Sequence, residues 1–350
     1  MNWLQRRVRP EQIRELSLLA IIVVAVVFFG SLIDNYYSFR TFNRIASSVA
    51  IITVVAVGQT LVVLTRNIDL SVGSIVGFTA YFVGTLIANH PSINPLLAIG
   101  LCIVLGAGLG VFNGLLVAFG RVPAVVVTLG TLAIYRGVLV DLSHAKTVTA
   151  DSLPQWLLDL PLTNIVPFGS LDIRALFALA LCIVVVFHLA VGYLSFARQF
   201  YAVGSNPEAA QLIGLPIKRV VTLSFVISGA LAGLGGFMFL SRFGNITVEA
   251  GRGLELSVVA AVVVGGVNVF GGSGTIIGAM LGAILIGTLE QSLYRLGISE
   301  FWLSAVLGLL ILLAVASDAI ILDRLRALWA RTELKLITDT KPAPTNVRPS

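Results

Sequence analysis

Ten stretches of this 350-residue chain are each long and apolar enough to cross a bilayer as a helix, which takes about 20 predominantly apolar residues. They cover residues 17–33, 45–64, 70–88, 96–119, 123–140, 173–193, 220–240, 254–270, 275–293 and 301–322. Hydrocarbon offers no water to backbone N–H and C=O groups, so a spanning segment must be a helix or part of a closed barrel. The alternation of a membrane strand is absent, and the expected fold is an all-α integral membrane protein of about ten transmembrane helices. Charged residues make up 11% of the chain, against about 25% in soluble domains, too few to cover a water-facing surface. The expected layout is a segment 1–16, one transmembrane domain over 17–322 and a tail 323–350. The first apolar run follows Arg6, Arg7, Arg9 and Arg14, as a signal peptide would. No small-x-small cleavage site follows it, so it reads as an uncleaved span.

Lys and Arg choose the orientation. With the N-terminus in the cytoplasm, 15 fall on inside segments, 7 on outside segments and Arg136 within a span, which accounts for all 23. The positive-inside rule then places both termini in the cytoplasm. The net charge of +6 is thus spread over span ends rather than gathered on a basic face, and no nucleic-acid partner is expected. Cys102 and Cys182 lie in apolar runs outside any CxxC motif, and His90, His144 and His188 form no ligand spacing, so no metal site is expected. The long outside segment 141–172 should hold a short interfacial helix near Trp156. The tail after Asp323 reads as a basic amphipathic surface helix followed by disorder.

Glycines recur every four residues at Gly106, Gly110 and Gly114, at Gly229 and Gly233, and at Gly274, Gly278 and Gly282. Helices in lipid associate through close backbone contact, which such small residues permit; the stripes serve static packing or sliding. Residues 67–77 (NIDLSVGSIVG) echo 268–278 (NVFGGSGTIIG), each at a turn between two spans. Internal repeats of this kind occur in transporters, with the binding region near the meeting of the halves.

One polar segment, 197–219, interrupts the apolar pattern and reads as a short punctuated helix. Asn206 is a good N-cap, Pro207 suits the first helical position, and Glu208 faces the positive end of the helix dipole. Gly214 and Pro216 stop it. A helix of about seven residues, roughly 10 Å long, is not stable alone. It must pack on this protein or on a partner, and its Ala209/Leu212/Ile213 side suits a groove.

The pattern Glu208-Ala-Ala, three residues, Gly214-Leu-Pro is similar to the cytoplasmic EAA-type motif of membrane subunits of bacterial ABC importers. Nearly the whole chain resembles permeases of the ribose-type branch of carbohydrate importers, through 58–74 (GQTLVVLTRNIDLSVGS), 123–137 (PAVVVTLGTLAIYRG), 201–210 (YAVGSNPEAA) and 265–275 (GGVNVFGGSGT). The TRNID wording is closest to rhamnose and autoinducer-2 permeases. The resemblance implies a non-catalytic subunit of the bacterial inner membrane that pairs with a second permease, as a homodimer or heterodimer. It implies two ATPase subunits that grip the short helix and a periplasmic binding protein that delivers a sugar or sugar-like solute. It also implies that Asn206, Pro207, Glu208, Ala209, Ala210, Leu212 and Gly214 couple to the ATPases. ATP with Mg is then held by the partners; no GxxxxGK[ST] occurs in this chain, so no cofactor is expected on it.

A sugar-like solute needs hydroxyl and amide partners along its way, and the candidates are Gln59, Thr60, Asn67, Asp69, Ser71, Thr128, Thr131, Tyr135 and Asn268, with Thr65 beside them. Thr128, Thr131 and Tyr135 share one helical face. Arg136 should snorkel outward or meet Asp141 or another carboxylate. Helix–helix hydrogen bonds are the other use of these residues, and for Asn67 and Asp69 a turn or helix cap. The alternative function is an ion-coupled secondary transporter, which needs ionisable groups near the midplane. Glu255, Glu290, Asp318 and Arg136 lie near span ends and speak against it. A membrane enzyme has no nucleophile–base pair here to support it.

Overall fold

The computed structural model describes residues 10–168, 171–299, 301–314 and 316. The chain divides into a main unit, 1–311, and a C-terminal unit, 312–350. The residues before 10, the tail after Asp323 and Asp318 lie outside the described residues.

The fold is an all-α integral membrane protein. Eight helices of spanning length and apolar composition occur among the described residues. They are α1 (Pro10–Leu32), α2 (Phe39–Leu64), α3 (Val72–Asn89), α4 (Pro95–Ala118), α5 (Ala124–Ser143), α7 (Ala175–Tyr193), α10 (Ile217–Phe243) and α12 (Ile276–Arg295). Between them lie the short helices α6 (Gln155–Asp159), α8 (Arg198–Ser205) and α9 (Pro207–Leu212), and the apolar α11 (Leu254–Val264). A last apolar helix, α13, runs over Phe301–Ala314. Outside the helices, strands β1 (Asn164–Phe168) and β2 (Leu171–Arg174) pair as an antiparallel hairpin.

Two expected spans differ in length. The stretch 254–270 is helical only to Val264, and 11 residues rise about 16 Å, half the hydrocarbon thickness. Gly265 and Gly266 end it, the latter at φ 93°, a left-handed backbone that costs a side chain-bearing residue but not glycine. The stretch 301–322 is helical through Ala314 in its described part. The segment 141–172 does hold a short helix, α6, but Leu157 on it is fully buried against the bundle, so it is anchored by packing rather than by the interface.

Helices α2 and α10 form the core. Every residue in the apolar window of α2 is buried, whereas α1, α4, α5 and α7 leave large apolar side chains exposed. Contiguous exposed apolar faces of that size belong in lipid rather than water. The closest helix–helix approaches lie at glycines. Where α10 crosses α4, a Cβ on Gly106 would stand 2.2 Å from the Gly229 carbonyl oxygen, and one on Gly233 would stand 2.0 Å from that of Cys102. Likewise Gly282 of α12 lies against the backbone of Ala261 in α11, and Gly278 against that of Gly265 just beyond it. The expected glycine stripes are the seams at which backbones touch.

Candidate functional site

The two echoing segments are both interruptions between paired helices. Residues 65–71 separate α2 from α3, and residues 265–275 separate α11 from α12. They meet at one point. Gly272 N–H donates to the Leu64 carbonyl at 3.0 Å, and Gly204, near the end of α8, fits between them. A Cβ there would lie 1.6 Å from Leu64 O and 2.7 Å from Gly272 N, so only glycine can occupy the position.

Arg66 ties this junction. Its backbone is left-handed, φ 64°, which turns the chain back at the end of α2. Its guanidinium donates from Nε to Gly204 O at 2.5 Å and from Nη2 to Ser205 O at 2.8 Å. Its stem lies against Gly271, where an added Cβ would meet the Arg66 Cγ at 2.4 Å. The Tyr201 hydroxyl, also on α8, donates to Gly274 O at 2.8 Å. Thus α8 is bonded to both interruptions.

Helix α9 follows α8 directly, built as its residues dictate. The Asn206 side chain accepts from Ala209 N–H at 3.0 Å. Pro207 opens the first turn, where its missing N–H costs nothing. Gly214 takes φ 79°, and the Leu215 N–H closes on Ala210 O at 3.0 Å. Ala210 is buried, anchoring the helix; Glu208 and Ala209 are exposed. Leu212 is 88% exposed and Ile213 74%. A six-residue helix thus holds two large apolar side chains clear of the protein, with one small residue as its foot.

The polar candidates of the α2–α3 interruption form a closed network. Gln59 donates its amide nitrogen to Asp69 O at 3.2 Å and accepts from Asp69 N–H at 3.1 Å. Asp69 Oδ1 accepts from Ser71 N–H at 2.9 Å and from the Ser71 hydroxyl at 2.6 Å. Asn113 of α4 donates to Ser71 Oγ at 2.8 Å, and the Tyr135 hydroxyl of α5 lies 3.2 Å from Asn113 Oδ1 and 2.9 Å from Leu109 O. Thr128 reaches Ile68 O at 3.3 Å and Ala124 O at 2.9 Å, and Thr131 bonds to Thr128 O. Gln59, Asp69, Ser71, Asn113, Thr128, Thr131 and Tyr135 are all buried. Burial pushes the Asp69 carboxyl up to about 6, against the lowering effect of its Ser71 bonds. Asp69 Oδ2 has no partner among the described residues.

The remaining candidates stand apart. Thr60 and Thr65 bond back to carbonyls of their own helix. Asn67 bonds to Thr65 O at 2.8 Å, and Asn268, on the other interruption, accepts from Phe270 N–H at 2.9 Å. Both therefore act as turn formers. Arg136 meets no carboxylate within ion-pair distance among the described residues; it donates to the carbonyls of Val248 and Ala250 at 2.8 and 2.6 Å. Sequence reasoning missed Asn113 and Arg66. An asparagine inside an otherwise apolar stretch of α4 was the available signal for the first, and nothing local marked the second.

Residues 41–315 match the family described as "Branched-chain amino acid transport system / permease component". The chain belongs to this permease family. Among curated proteins it is similar to the autoinducer 2 import system permease protein LsrC of Yersinia enterocolitica serotype O:8 / biotype 1B, at 37% identity over 308 residues, 87% of this chain and 82% of that one. The LsrC proteins of Yersinia pseudotuberculosis serotype O:3 and Yersinia pestis strain Pestoides F are each 36% identical over 350 residues, 96% of this chain and 95% of theirs. No solved structure matches. The chain is a multi-pass permease subunit of an ABC importer in the bacterial inner membrane, and the family implies ATPase and solute-binding partners.

Proposed function

We propose that this permease imports autoinducer-2 or a close sugar-like solute, with rhamnose the next candidate. Its termini face the cytoplasm, and it works beside a second permease copy or close relative, with no catalytic group or cofactor of its own. ATP and Mg are held by two partner ATPases, and a periplasmic binding protein supplies the solute. The likeness to the autoinducer 2 permeases over nearly the whole chain supports the solute class.

Coupling runs through Asn206, Pro207, Glu208, Ala209, Ala210, Leu212 and Gly214. The observation that carries this reading is the pair Leu212 and Ile213, held out from a capped helix whose only buried foot is Ala210. A groove on an ATPase would take that apolar pair, and Glu208 beside it would set the docking polarity. Closure of the ATPases on ATP would push α9, and α8 would carry the push to both interruptions through Arg66 and Tyr201. The network of Asp69 with Gln59, Ser71, Thr128, Thr131 and Tyr135 is the closed gate of the translocation path, with Thr60, Asn67 and Asn268 beside it rather than bonded into it. Glu208→Arg tests this: ATP-dependent uptake should be abolished while membrane insertion stays intact. Normal uptake in that variant would end the coupling role.

A further inference from the structure

The main unit holds cavities away from the gate. One of about 550 Å³ opens between α2, α10, α11, α12 and α13, within the roughly 300–1,000 Å³ range of small-molecule sites. Its position is informative. Helices α2, α10 and α12 have their other ends at the junction with α8 and α9, and α10 alone spans about 40 Å. The cavity and the coupling helix therefore lie at opposite ends of the same helices. On the proposed orientation the cavity faces the periplasm.

Its lining is mixed in a way that the closed gate is not. The floor is apolar, from Ile51, Ile52 and Phe239. Its polar lining includes Arg242, Ser257, Glu290 and Gln291, and the Glu249–Arg252 ion pair, 2.6 Å apart, lines it too. Ser257 donates to Glu290 Oε1 in a short hydrogen bond, and Gln291 Nε2 donates to Ser48 Oγ at 3.4 Å, which fixes two of these side chains. Arg242 has its guanidinium over the Phe243 ring at 4.9 Å and donates to no protein acceptor among the described residues. A charged donor set over an aromatic ring, beside a carboxylate and an amide, offers donors and acceptors in nearly equal number over an apolar base. That combination suits a neutral solute carrying several hydroxyls. A singly charged solute would meet repulsion as well as attraction, because Arg242 and Arg252 are balanced by Glu249 and Glu290 in the lining.

We propose that this cavity is the outward-facing solute site of the permease, taking a small neutral polyhydroxylated molecule whose hydroxyls bond Glu290, Arg242 and Gln291. The proposal rests on the transport reading above for its direction, and on the cavity's own chemistry for its ligand. Interactions made to ionised partners are the stronger hydrogen bonds, so Glu290 and Arg242 should dominate.

The test uses the full transporter, with its ATPases, in nanodiscs and vesicles. In a Cys182→Ser background, Gln291→Cys is reacted with a charged methanethiosulfonate from the outside, with and without autoinducer-2, L-rhamnose or D-ribose. The solute that the complex imports with ATP should slow modification by about tenfold, and adding Glu290→Gln should remove most of that protection, as for a lost bond to a charged group. Arg242→Gln should do the same, and a control away from the cavity, Asp151→Asn on the exposed 141–172 segment, should not. If the complex imports one of these sugars yet that sugar gives no protection, the cavity is not its site, while the transport reading stands. If none is imported, the transport reading fails for these solutes. Protection by any of the three would then still uphold the cavity, and protection by none would overturn it.

Discussion

Replacing Arg66 with glycine isolates the link between the coupling helix and the two interruptions. The side chain contributes one half-buried bond, Nε to Gly204 O, and one exposed bond, Nη2 to Ser205 O. A hydrogen bond from a charged donor is worth roughly 1.5–3 kcal/mol net when shielded, and an exposed one adds little. The latch is therefore worth about 2 kcal/mol. Glycine at this position also removes the cost of a left-handed backbone at φ 64°, which for a non-glycine residue is of order 1 kcal/mol. The folded protein should accordingly survive, while the grip of α8 on the interruptions weakens by a factor of about 30. The assay is solute moved per ATP hydrolysed in vesicles containing the complete transporter. Arg66→Gly should keep ATP hydrolysis and lose most uptake. Arg66→Lys, which keeps the charge but not the two-pronged geometry, should fall between. Unchanged uptake per ATP in Arg66→Gly would show that the push does not travel through this contact.

Other contacts have equally direct consequences. Gly204→Ala would place a Cβ 1.6 Å from Leu64 O, so expression of folded protein, read by size-exclusion in detergent, should collapse; a well-behaved variant would contradict the close approach. Gly106→Leu should part α4 from α10 and cost more than the 1–3 kcal/mol usual for overpacking, because backbone rather than side chain stands in the way. Asp69→Ala strips Ser71 of its acceptor and should destabilise by about 1–3 kcal/mol in thermal unfolding. Asp69, in the linker between two spans, also carries a pH signature. Its folded value of about 6 lies above the ordinary 3.8, so its protonated form is favoured in the fold. That contribution is present at low pH and lost as pH rises through about 6. The melting temperature of the parent should thus fall between about pH 4 and pH 7 relative to Asp69→Asn, and parallel curves would refute the assignment.

Local chemistry was readable from the chain; long-range pairing was not. Asn206, Pro207 and Gly214 act on amides within a few residues, and the structure caps and ends α9 as they imply. The spans were equally legible, since lipid requires apolar length, but 254–270 was not, because Gly265 and Gly266 end a helix without lowering its hydropathy. The glycine stripes marked real seams. Arg66 and Gly204 are separated by 138 residues, and no periodicity joins them. Polar residues inside spans are ambiguous in a similar way. A hydroxyl bonded to a neighbouring helix and a hydroxyl facing a solute look alike in sequence, and Ser71, Thr128 and Tyr135 turn out to be bonded to one another's surroundings. Glu290 and Arg242 sit near helix ends, where charges ordinarily mark the membrane boundary, so their convergence on one cavity was hidden.

The central claim is that α9 receives work from nucleotide-hydrolysing partners. Its most direct measurement is solute uptake into vesicles holding the permease with its ATPases and binding protein, compared with the permease alone under an imposed proton or sodium gradient. Uptake should require ATP and both partners, and should vanish with Glu208→Arg. Full-rate uptake by the permease alone, driven by an ion gradient, would contradict the account.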